Sequence, residues 1–368
     1  MDDLKKTPEL TDVLEDDFSK SRRKKSRKRV LTILFVSLNI VIIGGTAYID
    51  FTKERMPSVS LGNNMVFLFA AAGCFIIAIT AESLKFYIMM HRLNGSASVR
   101  MAFEVATLGK YYDSITPTGA GGQPFQVYYL RKNNVSTGAS AAMPIAGFLT
   151  LQFAFILLAI AVFIFGTPFL NMVPDYSVAI RITAIIGIVF YAALPLLIVL
   201  FVVFPKAAGA VVRFFIMLLA TMRIIKEPEG KLEKSLVMFD EYRQSIVIIC
   251  KKKHMLLMLI GFGIIYHIAL CSIPYFVLRA FGSTLMYRSV FAMMVLIYCA
   301  ITYIPTPGNS GAAEASFFVL LASLNQDHLF WAMLIWRFFT YYAFLAIGCG
   351  IFTFKAIEKR LDKNKSNA

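Results

Sequence analysis

Residues 102–131 read AFEVATLGKYYDSITPTGAGGQPFQVYYLR, and residues 288–325 read RSVFAMMVLIYCAITYIPTPGNSGAAEASFFVLLASLN. Each stretch is apolar to mixed and is interrupted near its middle. The first interruption is Thr116-Pro117-Thr118-Gly119-Ala120-Gly121-Gly122-Gln123-Pro124, and the second is Thr306-Pro307-Gly308-Asn309-Ser310-Gly311-Ala312-Ala313-Glu314. Both place Thr-Pro ahead of G-x-x-G. Proline removes a backbone donor and glycine frees the chain from helical φ/ψ, so no helix runs intact through either sequence. The reading is two half-helices joined by a turn, a re-entrant hairpin. Such broken backbone is tolerated inside a membrane only where protein or a water-filled cavity surrounds it.

The flanking sequence demands a membrane. Hydrophobic residues make up 58% of the 368-residue chain and charged residues only 16%. A soluble domain of that length cannot cover so much apolar surface. Continuous apolar runs at about 30–50, 64–90, 138–166, 178–205, 255–281 and 329–354 reach the roughly 18 residues that suggest a spanning helix. They do not alternate as barrel strands do. The expected fold is an all-α integral membrane protein with six full spans and two opposed re-entrant hairpins. The run from Val30 to Ile49 is too long for a signal peptide core and no small-x-small cleavage site follows, so it is read as a retained span.

The formal net charge of +15 would suit nucleic acid, but its placement speaks for a membrane. Most Lys and Arg fall in segments that the alternation of spans puts on one side, the positive-inside pattern. Both termini are therefore expected in the cytoplasm. The organisation follows: 1–29, a disordered tail ending in a basic anchor; 30–205, the first membrane region; 206–254, a cytoplasmic amphipathic segment; 255–354, the rest of the membrane region; 355–368, a basic cytoplasmic tail. Two spans, a hairpin from the inner side and a third span are followed by two spans, a hairpin from the outer side and a last span. That order is the signature of an inverted repeat, found in transporters with a site near the midplane.

Charges inside such a structure are expensive and need a partner or a function. Glu82 and Lys85 form an i,i+3 pair, or Lys85 reaches the headgroups, or it meets a substrate. Lys110 or Arg131 is placed to bind a lipid phosphate, with Asp113 pairing with either. Gln123 and Gln126 offer neutral donors at the returning helix. Both returning half-helices are expected to aim free N–H groups into the membrane centre, where anions are attracted. Glu314 either stabilises its helix N-terminus or recognises a cation or proton. Arg337 either neutralises Glu314 or holds phosphate bidentately. His267 reads as a packed residue or a proton relay. The candidate substrate-binding set is Lys85, Lys110, Thr116, Thr118, Gly119, Gly121, Gly122, Gln123, Arg131, Thr306, Gly308, Asn309, Ser310, Gly311, Glu314 and Arg337. No HExxH, Walker A or GxSxG sequence occurs, and the five cysteines form no CxxC pair, so no catalytic residue, metal or cofactor is expected.

The stretch from Tyr111 to Lys132, YYDSITPTGAGGQPFQVYYLRK, resembles the signature of the transmembrane region of lysylphosphatidylglycerol synthase/flippase proteins. Thr306–Glu314 and Trp336-Arg337 fit the same pattern. The resemblance covers roughly 30–354. It implies a bacterial cell membrane and an anionic or aminoacylated phospholipid, or another lipid-linked substrate, as the partner. It implies two activities: transbilayer movement of that lipid, or transfer of lysine from lysyl-tRNA to phosphatidylglycerol, the one route by which a nucleic acid partner would enter. A third reading is a non-catalytic membrane partner in envelope lipid metabolism. In the full-length family a soluble domain transfers the aminoacyl group; only about a dozen polar residues follow 354 here, so that domain is not expected. The sequence specifies no oligomeric state.

Overall fold

The computed structural model describes residues 64–116, 119, 121–165, 178–221, 228–301, 304, 306–322 and 329–366. The chain divides into a unit Met1–Pro57 and a unit Ser58–Ala368, and all described residues belong to the second. The tail 1–29 and the expected span 30–50 lie outside them, as does Thr118.

The described residues are helical throughout, without strands. In chain order the helices are α1 (Met65–Asn94), α2 (Val99–Ile115), α3 (Gly122–Lys132), α4 (Thr137–Phe165), α5 (Val178–Val203), α6 (Pro205–Thr221), α7 (Pro228–Lys251), α8 (Lys253–Ala280), α9 (Tyr287–Ile301), α10 (Ala312–Ala322), α11 (Leu329–Arg337) and α12 (Ala343–Ser366). Among the described residues, five stretches are long and apolar enough to cross a membrane: Met65–Leu93, Gly138–Phe165, Ile185–Val203, Lys253–Ala280 and Leu329–Lys355. They coincide with five of the six expected spans. Large apolar side chains such as Phe69, Ile76, Ile164 and Val189 point outward, exposed, as lipid-facing positions do. The protein is an all-α integral membrane protein.

The two interrupted stretches are broken where the sequence breaks them. α2 and α3 fold back on one another, and so do α9 and α10. At 1.5 Å per residue α1 is about 45 Å long, whereas α2 and α9 are each about 22–26 Å. The half-helices therefore reach about half the depth of the bundle. α1 ends at Gly95, whose φ of 71° closes the helix, and the Ser98 hydroxyl then caps α2 by accepting from Met101 N at 3.3 Å. This turn sends the chain straight back along α1.

α8 is the central post, packed along α1 and α4. Gly263 makes the α8–α4 crossing possible: a Cβ there would lie 2.7 Å from Ala154 Cβ and 3.2 Å from Thr150 O. Small residues at crossings matter in a bilayer because helices associate there by close packing, with lipid tails as apolar as leucine. Phe86, Met89, Val105, Leu108, Leu130, Met143 and Leu259 tie α1, α2, α3, α4 and α8 into one buried cluster.

Two details go beyond these expectations. The run 329–354 is not a uniform helix: a π-helical segment, Phe338–Tyr342, separates α11 from α12. π turns widen a helix by one residue and recur at functional sites. The segment 355–368, read as a tail, is mostly helix, since α12 continues to Ser366. The stretch 206–254 forms two helices, α6 and α7, which pack on each other while α7 lies along α4. Arg243 Nε donates to Val202 O at 3.0 Å and fastens α7 to the end of α5.

Candidate functional site

The first break is built around its threonine and an aspartate. Thr116 Oγ1 donates to Tyr112 O at 2.7 Å and accepts from Gly121 N at 2.9 Å. Gly119, at φ 62°, closes a turn with its N–H on Thr116 O at 3.2 Å. Asp113 Oδ1 accepts from Gly122 N at 2.8 Å. A Cβ on Gly122 would lie 2.6 Å from Gly109 O, so only glycine lets α3 start this close to α2.

The second break repeats these devices. Asn309 N donates to Thr306 O at 3.0 Å, and Thr306 Oγ1 donates to Ser310 O at 2.9 Å. Gly308 and Asn309 have φ 59° and 54°. Glu314 Oε2 accepts from Gly311 N at 2.7 Å. Here a cation is added: Arg337 Nε meets Glu314 Oε1 at 2.6 Å, while its Nη2 reaches Gly308 O at 3.2 Å and Ser310 Oγ at 3.4 Å. Of the two readings of Arg337, neutralisation of Glu314 is the one formed.

The expectation of open helix N-termini is overturned at these donors. Gly121 and Gly122 give theirs to Thr116 and Asp113, and Gly311 gives its own to Glu314. A buried N–H without an acceptor is costly, and the chain supplies its own oxygen at both breaks. The carboxylates stand where an incoming anion would.

The breaks meet. The turn of the second packs on α2, and Tyr341 OH donates to Ser114 O at 3.5 Å. A Cβ on Gly308 would overlap the Tyr341 ring, so the π segment's tyrosine lies directly on the second turn. Around this meeting point are two adjoining cavities of about 220 and 280 Å³, which share Lys110, Asp113, Gly119, Tyr266, Leu270 and Tyr298. Glu82, Gln123, Gln126, Gln152 and His267 line the first cavity, and Gly308, Asn309, Arg337 and Tyr341 line the second. Lys110 Nζ sits 5.1 Å above the Tyr266 ring, a cation–π contact. Lys85 is fully buried, paired with Glu82 at 2.7 Å and donating to Gly147 O at 3.0 Å. His267 Nε2 lies 3.1 Å from Leu151 O.

The structure thus gathers Lys110, Gly119 and Gln123 with Gly308, Asn309 and Arg337 at one polar interior. Lys85 is held just beside it. Thr116, Gly121, Gly122, Thr306, Ser310, Gly311 and Glu314 build the turns. Arg131 is exposed at the end of α3, apart from the cavities. Sequence reasoning missed Tyr266, Tyr298 and Tyr341. A tyrosine inside an apolar run was the available signal, because a buried hydroxyl needs a partner.

It also missed a polar network at the end of the bundle that carries Arg92, Arg100, Arg131 and Lys132. Lys355 Nζ donates to Glu104 Oε2 at 2.7 Å and lies 4.4 Å over the Tyr129 ring. Tyr129 OH joins both groups. Arg100 pairs with Glu104 at 3.1 Å and Glu358 at 3.3 Å.

With this geometry established, residues 30–348 match the family described as the lysylphosphatidylglycerol synthase TM region. The chain belongs to that family. It is also 23% identical over 289 residues, 77% of this chain and 84% of the relative, to a UPF0104 membrane protein of Archaeoglobus fulgidus. No solved structure matches it. The breaks and the cavity both lie within the matched region, and membership points to a membrane protein with a lipid-related role.

Proposed function

We propose that the protein binds a phosphate-bearing lipid headgroup in the central cavity and moves it between leaflets. The observation that carries this reading is the meeting of two broken helices, entering from opposite ends of the bundle, at one polar interior. In this reading the breaks lie near mid-membrane, the two halves form an inverted repeat, and the end bearing Arg100 and Lys132 faces the cytoplasm. Positive-inside placement supports that orientation.

The cavity offers both signs of charge. Lys110 and Arg337 suit a phosphate, while Glu82 and Asp113 suit an amine. A headgroup carrying both, such as an aminoacylated phosphatidylglycerol, satisfies both sets; plain phosphatidylglycerol satisfies the cations alone. Glu314 and the turn already engage Arg337 through Nε and Nη2, so Lys110 is the principal phosphate ligand in this scheme.

Reconstitution into liposomes tests it. Leaflet exchange of labelled phosphatidylglycerol and of its lysyl ester is followed with and without the protein. Lys110→Met is expected to slow exchange by roughly ten- to hundredfold, the range of a hydrogen bond to a charged group, with the thermal midpoint unchanged. Exchange at the protein-free rate for both lipids would remove the proposal.

A further inference from the structure

The α2–α3 hairpin is a wall with a cavity on each face. On one face Lys110, Asp113, Gln123 and Gln126 line the central cavity. On the other, Glu104, Leu108, Phe125 and Tyr129 line a separate space of about 730 Å³ at the basic end, completed by Phe352 and Lys355 of α12. On its other sides the hairpin packs on α1 and α4 through Val105, Leu108 and Leu130, so the seam that can part is the one with α12. Its arms are half-length helices, and what holds it against α12 is a small set of contacts.

Those contacts form two layers. The outer layer is ionic: Lys355 of α12 bonds Glu104 of α2 at 2.7 Å, and Tyr129 of α3 joins both. One lysine therefore clasps both arms of the hairpin. The inner layer is aromatic. Tyr112 stacks on Phe125 with centroids 4.0 Å apart, and Phe352 meets Tyr111, Tyr112 and Phe125 at 5.6, 6.2 and 6.4 Å. Gly348 brings α12 in so closely that a Cβ would overlap the Tyr111 ring. Ion pairs that link separate elements can exchange partners without unfolding either element. Weak aromatic edge contacts slide in the same way.

We propose that the α2–α3 hairpin is a gate between the central cavity and the basic end of the bundle, latched shut to α12 by Lys355, Glu104 and Tyr129. The inference deepens the transport reading and rests on it for its purpose, but its test does not require transport. Opening releases Lys355 from Glu104 and parts the aromatic layer, which joins the two cavities into one path. Arg100 and Lys132 then stand at its mouth, where an anionic headgroup would first be met.

The experiment reads accessibility. In a protein whose five native cysteines are replaced by alanine, Phe148→Cys places a thiol on the central cavity. A membrane-impermeant maleimide is added from the side of the basic end in sealed vesicles of known orientation. Two unrelated perturbations are compared: Lys355→Gln, which removes the latch, and Gly348→Val, which wedges α12 from Tyr111. Each is expected to raise the labelling rate about five- to thirtyfold, the factor that goes with one or two weakened contacts. Tyr129→Phe, a milder change, stands in if Lys355→Gln does not fold. Unchanged labelling in the latch and wedge variants overturns the gate. Faster labelling without any lipid exchange leaves the gate standing and removes the transport reading.

Discussion

The two breaks are built alike and held differently. Each opens with Thr-Pro, turns through a left-handed glycine, uses its threonine hydroxyl to brace the turn, and caps the returning helix with a carboxylate. At the second break that carboxylate is locked by Arg337 at 2.6 Å and the turn is pinned by Tyr341. At the first, Asp113 faces the cavity that holds Lys110, and a Cβ on Gly119 would make only ordinary contact with Asp113 at 3.9 Å. The same local device is held by a distant arginine and a tyrosine in one half of the molecule, and by the hairpin's own atoms in the other, the hairpin proposed to move.

This contrast can be broken in order. Arg337→Met strands a buried carboxylate and is expected to cost about 3–5 kcal/mol, read as a large fall in the thermal midpoint of detergent-solubilised protein. Gly308→Ala comes next, at about 2–3 kcal/mol, since a left-handed φ and an overlap with Tyr341 both oppose it. Gly119→Ala meets only the φ penalty and is expected to cost about 1 kcal/mol. Asp113→Asn is the smallest, about 0.5 kcal/mol or less, because asparagine caps a helix nearly as well as aspartate. If Asp113→Asn proves as damaging as Arg337→Met, the first break is as rigid as the second and the distinction falls.

Much of the architecture was legible. Apolar runs gave the spans, and Pro and Gly in matching places gave both breaks. Glu314 was readable as a capping residue because it lies three positions after Gly311, within one helical turn. The rest was hidden by distance along the chain. Asp113 caps a helix that begins nine residues later across a turn, which no helical spacing announces. Arg337 and Glu314 could be suspected of pairing only because buried charges need partners. Lys355 meets Glu104 across 251 positions of the chain, and pairs so far apart leave no periodic trace. The π segment was hidden for another reason: Phe338-Phe339-Thr340-Tyr341-Tyr342 carries no proline or glycine to announce a change of coil.

That widened turn sets the phase between the central cavity and the basic end. Arg337 lies just before it and Lys355 well after, on what is otherwise one rod. Were the five residues to tighten to ordinary α pitch with none lost, everything downstream would rotate by about 100° and advance by about 1.5 Å. Gly348 would swing off Tyr111 and Lys355 off its clasp, while Arg337 stayed where it is.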